Sequence, residues 1–399
     1  MSDAPTLLFY CQHAVGLGHL VRSLAVAEAL TERFDVVFLN GGRFPERTTV
    51  PSGVRVVNLP PLGHDATFNL ISYDPSWTVD AAMRERPRII LDELFNTKCA
   101  VVLVELYPFG RKKFEFELIP LLDAVHRIGP DRPLVVSSVR DILVGQRPDQ
   151  RDHDERASRL VNRYFDAVLV HSDPQFARLE ETFRPVTPMS APVHYTGFVT
   201  NRGASVAADD TERARRVLVS AGGGMVGGPL FEAVAAAHQR WYSELGLTTL
   251  VVAGPFAPEP AWQRLLQHAD AIEGFEVVRF VPDLLREMAR SAVSVSQCGY
   301  NTAMDIVRAR VPSVVVPYGE GGEDEQRRRA QRLDSLGVLH SVEPTALDPT
   351  VLAETVITAA NTTPAPVSLD LGGSAASARI VAELSDRRAA ALTSEGAPA

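Results

Sequence analysis

The stretch SQCGYNTAMDIVRARVPSVVVPYGEGGEDEQ, residues 296–326, decides the fold. A short apolar run, AVSVS, leads into Ser296, the chain turns at Gly299, and a helical pattern follows over about 301–310 with a carboxylate, Asp305, one turn in. Pro312 then starts a second apolar run, SVVVPY, whose carboxyl end releases the polar stretch GEGGEDEQ. Strand, glycine turn, helix and strand in that order make a unit of a parallel sheet, and open parallel sheets hold their ligands at the carboxyl ends of the strands. The geometry suits a nucleoside diphosphate. Unpaired N–H groups at a helix start, aided by the helix dipole, bind a pyrophosphate, while a carboxylate on the first turns accepts hydrogen bonds from a ribose diol. Taken alone, the pattern also fits any βα unit with no ligand.

The whole series narrows the choice: Ser296, Gly299, Thr302 and Asp305 in order, a proline after the helix, a hydrophobic strand, then Glu325 and Gln326. Its order and spacing resemble the donor-binding region of nucleotide-sugar glycosyltransferases of the two-domain GT-B type. The nearest family is that of the bacterial enzyme that adds N-acetylglucosamine to the lipid-linked peptidoglycan precursor. The resemblance implies an α/β chain built of two Rossmann-like parallel-sheet domains facing a cleft. It is strongest over residues 280–336, fair over 9–30 and thin between.

The bulk composition agrees with such a chain. Its 399 residues suffice for two domains, and 45% hydrophobic content fits substantial cores. A formal net charge of −9 and the lack of a basic low-complexity tract make the chain a poor candidate for gripping nucleic-acid phosphates, because that binding needs many Lys and Arg. Cys11, Cys99 and Cys298 are too scattered for a disulfide framework or a CxxC metal site, which points to a reduced, cytoplasmic setting. No apolar run approaches the ~20 residues of a membrane span, so at most peripheral membrane contact is expected.

Apolar runs alternate with helical stretches, as expected of parallel sheets covered on both faces. In the first half they fall at 6–11, 35–40, 54–59, 99–105, 133–139 and 166–172; in the second at 216–224, 248–254, 275–281, 291–296 and 312–318. Between them lies a polar segment without apolar period. These features divide the chain into an acceptor-side domain (1–198), a linker (199–215), a nucleotide-sugar-binding domain (216–368) and a carboxy-terminal helix with a disordered tail (369–399). Gly373 and Ser374 would cap that last helix, which runs through Ile380, Val381 and Leu384, and the tail after Arg388 is expected to be disordered. The family fold would return the helix to the first domain.

After the first run, Gly16 and Gly18 open a loop and a helix begins near His19. A dinucleotide fingerprint needs a third glycine where this chain has Val21 and an acidic residue where it has Asn40, so an oxidoreductase of Rossmann type is disfavoured. A loop ending in Gly-x-Gly-His resembles the first loop of the glycosyltransferase family, whose histidine faces the interdomain cleft. His19 is thereby the candidate general base, an imidazole with an ordinary pKa near ~6.5 being suited to take a proton from a hydroxyl at neutral pH. His13 is its competitor, and Asp141 or Glu105, each just after a strand, is the candidate to orient it. Tyr107, Arg111 and Lys112 follow a strand end within VELYPFGRKKFEFELIPLL; they are candidates to meet an acceptor, in particular an anionic one, or else surface residues of the next helix. That stretch departs from the peptidoglycan enzyme and is closer to bacterial glycosyltransferases without an assigned acceptor.

In the second half, a strand releases AGGGMVGG before a helix, and Gly222, Gly223 and Gly224 let backbone amides approach a phosphate. No Gly-Lys-Ser/Thr follows, which excludes a Walker A loop. A diphosphate held between this loop and Gly299, Tyr300, Asn301 and Thr302 is the favoured reading. In the resembling family, the position of Phe280 and Val281 frames the nucleobase and an acidic-Gln pair, here Glu325 and Gln326, holds the sugar hydroxyls. A core phenylalanine and a charged helix start are the plain alternatives.

Retaining enzymes of the fold carry two glutamates where this chain has Gln297 and Asp305, so an inverting reaction is preferred. It would use a UDP-sugar as co-substrate, a small-molecule or lipid-linked acceptor, and neither cofactor nor metal. Asp152 and Asp154 form a DxD string within a charged helical stretch and are read as surface. The other classes are a nucleotide-sugar 2-epimerase of the same architecture, which needs no acceptor, and a catalytically silent binding partner.

Overall fold

The computed structural model describes residues 4–13, 17–44, 48–65, 69–200, 213–319 and 323–395. In chain order, the first half contains β1 (Thr6–Cys11), α1 (Gly18–Leu30), β2 (Asp35–Asn40), β3 (Val54–Asn58) and a hairpin of β4 (Leu62–His64) with β5 (Leu70–Ser72). It continues with α2 (Val79–Asn96), β6 (Cys99–Glu105), α3 (Glu115–Arg127), β7 (Leu134–Arg140), α4 (Gln150–Tyr164), β8 (Ala167–His171) and β9 (Val193–Tyr195). The second half begins with β10 (Ala214–Ser220), α5 (Gly228–Leu245), β11 (Thr248–Val252), α6 (Glu259–Ala271), β12 (Phe275–Val278), α7 (Leu284–Ala289) and β13 (Ser291–Ser296). α8 (Tyr300–Ala309), β14 (Ser313–Val315), α9 (Glu325–Ser335), β15 (His340–Ser341), α10 (Pro349–Ala360) and α11 (Gly373–Glu395) complete it.

Two parallel sheets result, a seven-stranded one in the order β3-β2-β1-β6-β7-β8-β9 and a six-stranded one in the order β12-β11-β10-β13-β14-β15. Nearly continuous apolar strands such as β1 and β6 can exist only where both faces are covered, and each sheet has a separate apolar cluster on each face. The strand order reverses between β1 and β6 and again between β10 and β13. Connections on the two sides of such a point lead away to opposite sides, and a crevice opens at the carboxyl ends of the strands. The loops that carry His19 and Gly299 both start there.

One apolar cluster spans the two halves, bringing Ile142, Phe176 and Phe198 of the first against Leu218, Leu285 and Met304 of the second. α11 returns to the first half, where Ile380 and Val381 pack with Leu20, Leu24 and Phe9 on one face of that sheet. Under the loops that follow β1, β2 and β3 lies a fully buried ion pair. Arg86 on α2 donates to both oxygens of Glu117 on α3, at 2.7 and 2.6 Å. It also donates to the carbonyls of Gly41 and Pro60 and to the side-chain oxygen of Gln12, tying three strand ends to one guanidinium.

The departures from the sequence reading are local. β14 stops at Val315 instead of continuing to residue 318, two residues before Pro317, which has no N–H to give a sheet. β4, β5, β9 and β15 are too short to show an apolar period and were not expected. α11 remains helical to Glu395, beyond the expected end near Arg388, whose Nε donates to the carbonyl of Arg132 at 2.9 Å. The DxD string is not all surface: Asp152 is exposed, but Asp154 is buried and accepts from Gln150 Nε2 and the Arg184 amide. Most of the expected linker, 201–212, lies outside the described residues.

Candidate functional site

α1 starts at Gly18, so His19 sits in the first turn after β1, and Glu105 is the last residue of the adjacent strand β6. The neighbouring strand ends place His19 Nδ1 2.5 Å from Glu105 Oε1. Glu105 is completely buried and also accepts from Arg22 Nη2 at 2.6 Å and Arg111 Nη2 at 3.1 Å. Burial lowers the His19 pKa, Glu105 opposes this, and Arg111 and Arg22 lower it further, to about 3 overall. Burial would raise the Glu105 carboxyl, but His19 and the two arginines hold it well below the ordinary carboxylate range. A neutral imidazole facing an ionised carboxylate carries its proton on Nδ1, which leaves Nε2 as a lone-pair acceptor. Nε2 is therefore free to accept a proton, with Glu105 the group that favours the imidazolium against burial and the two arginines.

The loop after Glu105 has left-handed backbone at two non-glycine residues, Leu106 (φ 61°) and Arg111 (φ 63°). Such conformations cost on the order of 1–3 kcal/mol and persist where the surroundings impose them. Here they turn Arg111 back onto Glu105. Tyr107 does not join the cleft: its ring is buried and its hydroxyl donates to Glu115 at 3.3 Å. His13 is also withdrawn, buried with Nε2 3.1 Å from Asn40 Oδ1 and its pKa lowered to about 4 chiefly by burial. Gly16 lies outside the described residues. Asp141 is not beside His19 at all. Both its oxygens are taken by Arg329 of α9 at 2.8 Å, and Glu105 alone of the two candidates touches the imidazole.

Across the cleft, the loop after β10 and the turn after β13 lie side by side, Ser220 pairing with Ser296 and Gln297 Nε2 donating to the Val226 carbonyl at 3.2 Å. Gly224 has φ 89°, and a Cβ there would meet the Ala253 carbonyl oxygen at 2.1 Å, so only glycine fits. α5 and α8 are preceded by glycines, Gly227 and Gly299, without a side-chain cap; this leaves the first amides of α8 open to a ligand, while α5 offers fewer because Pro229 has no N–H. Added atoms at Gly222 or Gly299 would meet nothing within 4 Å. Gly223 is buried beneath them, its carbonyl accepting from Phe256, and Thr302 is half-exposed on the first turn of α8.

Several candidate donor residues instead join the two halves. Tyr300 is buried and its hydroxyl donates to the His171 carbonyl at 3.0 Å while accepting the Val199 amide at 2.8 Å. Asn301 Nδ2 donates to the carbonyl of Gly18, the residue before His19, at 3.2 Å. Glu325 accepts from Arg140 at 3.2 Å, and its other oxygen is buried without a partner among the described residues. The Gln326 side-chain oxygen accepts the amides of Cys298 and Tyr318, both at 3.1 Å, pinning the ends of β13 and β14 together. The Ser296 hydroxyl is buried without a partner among the described residues. Phe280 is 45% exposed, which rules out the core alternative, while Val281 packs on the apolar cluster shared by the halves.

Asp305 lines a cavity of about 40 Å³ with Val21, Arg22, Val199, Asn301 and Met304. Burial, opposed by Arg308 and reinforced by Asp283, raises its pKa to about 7. Arg22 and Arg329 were missed from the sequence. Arg22 lies three residues after His19 and Arg329 three after Gln326, spacings that share a helix face and offered the available signal.

Residues 223–370 match the glycosyltransferase family 28 C-terminal domain. Among curated proteins there is no sequence match. The whole fold is similar to MurG of Acinetobacter baumannii, 16% identical with a TM-score of 0.52, covering 96% of this chain and 100% of that one. It is also similar to the glycotransferase of kitacinnamycin (16%, TM-score 0.58, 97% and 100%). The spinosyn rhamnosyltransferase SpnG complexed with thymidine diphosphate matches as well (16%, TM-score 0.54, 98% and 100%). The two-sheet architecture is thus that of the GT-B fold, its second half carries a match to a glycosyltransferase domain, and the chain resembles the MurG family.

Proposed function

We propose that the protein is an inverting glycosyltransferase that moves a hexose or N-acetylhexosamine from a UDP-sugar to an acceptor hydroxyl without a metal. The observation that carries this reading is the contact of Asn301 with Gly18, which sets the open start of α8 one residue from a histidine already polarised by Glu105. His19 Nε2 takes the acceptor proton as the acceptor oxygen bonds to the anomeric carbon. The bond from that carbon to the diphosphate breaks, and its electron pair leaves with the nucleotide. Amides at Gly222, Gly223 and Gly299 to Thr302 stabilise the leaving charge. Gln297 in place of a carboxylate supports a single displacement over a covalent sugar intermediate, since its amide is already used to hold Val226.

The binding of thymidine diphosphate by SpnG makes thymidine the base to test beside uridine. The chain is incubated with UDP- and TDP-sugars and a panel of hydroxyl acceptors, with and without chelator, and nucleotide release and anomeric configuration are followed. Acceptor-dependent release with inversion, insensitive to chelator, is expected. Conversion of the nucleotide sugar without acceptor would favour the epimerase instead.

A further inference from the structure

Asp141 follows β7 in the first half, yet its side chain serves the second. Arg329 donates from Nε to Asp141 Oδ2 and from Nη2 to Oδ1, both at 2.8 Å, and both side chains are essentially inaccessible. The remaining arm, Nη1, donates to the carbonyl of Cys298 at 2.7 Å. The Cys298 amide is held by Gln326 from the same helix. The residue that leads into Gly299 is thus gripped at both its N–H and its C=O by α9, and α9 is fixed by a carboxylate from across the cleft.

In a trans peptide the carbonyl oxygen and the following N–H point in opposite directions. Drawing the Cys298 carbonyl onto Arg329 therefore turns the Gly299 N–H away from that guanidinium, and the turn itself is open, since a Cβ at Gly299 would meet nothing within 4 Å. Arginine suits the task because its planar fork occupies a carboxylate with two arms and keeps a third for a carbonyl.

We propose that Asp141 is a positioning residue for the donor: through Arg329 it aims the Gly299 amide at the diphosphate, and it has no part in orienting the base. This rests on reading the start of α8 as the diphosphate site.

The test uses the full chain. Binding of UDP and TDP is measured by calorimetry, together with separate KM values for donor and acceptor and the pH profile of kcat. In Asp141→Asn the nucleotide Kd and the donor KM should rise about tenfold or more, while acceptor KM and pH profile stay within about twofold of the wild type. A fall in kcat with unchanged donor KM and a displaced pH profile would place Asp141 with the base and overturn the proposal. Should that variant not fold, Arg329→Lys decides. It keeps a cation for Asp141 but cannot also reach the Cys298 carbonyl in the same geometry, so the same loss of nucleotide affinity is expected. Unchanged affinity in whichever variant folds overturns the positioning role alone; a wild type that binds neither nucleotide overturns the functional reading beneath it.

Discussion

The Nδ1 of His19 and the Oε1 of Glu105 lie 2.5 Å apart, joining the first turn after one strand to the end of its neighbour. If this pair is the base and its orienter, His19→Asn should lower kcat by about 10²–10⁴-fold. Calorimetric affinity for the nucleotide should not change. Near-normal turnover in a folded His19→Asn protein would remove the histidine from the mechanism.

Acid stability should reflect the buried imidazoles. His19 and His171 have pKa values lowered to about 3 and His13 to about 4, in each case chiefly by burial. The native state keeps them neutral while the unfolded chain protonates them below ~6.5. Their contribution is thus fully present above the unfolded value and is lost as pH falls from there toward the native ones. The loss is about 1.4 kcal/mol per pH unit for each histidine. Urea unfolding at pH 7, 6 and 5 should show a falling midpoint; equal midpoints at pH 7 and 5 would contradict the burial argument.

Nucleotide binding should release a proton near neutrality. If Asp305, raised to about 7, meets the ribose, it would accept the hydroxyls better as the carboxylate, and a nucleotide would select the ionised form. UDP affinity is expected to increase from pH 6 to pH 8, by at most about tenfold per unit below the pKa. Calorimetry in two buffers of different ionisation enthalpy measures the proton directly. Asp305→Asn should abolish the difference, and a difference that survives the substitution would assign the proton elsewhere.

The Arg86–Glu117 pair predicts a stability effect without a direct catalytic one. Arg86→Ala strands a fully buried carboxylate and releases Gly41, Pro60 and Gln12, so a loss of about 3–5 kcal/mol is expected. Denaturant midpoints check it. A shift no larger than that of an exposed pair such as Arg55–Glu93 would show that the network carries little of the fold.

The parts visible in the sequence were those with strong local periods. The strands at Thr6–Cys11, Asp35–Asn40, Cys99–Glu105 and Ser291–Ser296 fall where their apolar runs place them, because strands buried on both faces must be apolar throughout. Gly18, His19 and Gly299 were legible because glycine and a following helix start mark strand ends. The partners of buried charges were not. Nothing local tells that Asp141 meets Arg329 or that Tyr300 turns toward His171, since both contacts form only when the two sheets meet. Glu105 and Asp141 looked equivalent in sequence, each following a strand; the difference is that β6 adjoins β1 and β7 does not.

The return of α11 fixes an order of manufacture. The face of the first sheet that carries Phe9 is covered by Leu20 and Leu24 of α1 together with Ile380 and Val381 of α11, and those last two are synthesised after every strand of either sheet. The amino-terminal lobe is made first and finished last, whereas β10 to β15 are all synthesised before α11. A premature stop ahead of Gly373 would therefore remove part of the cover of the lobe that bears His19 while sparing the sheet of the lobe that bears Gly299.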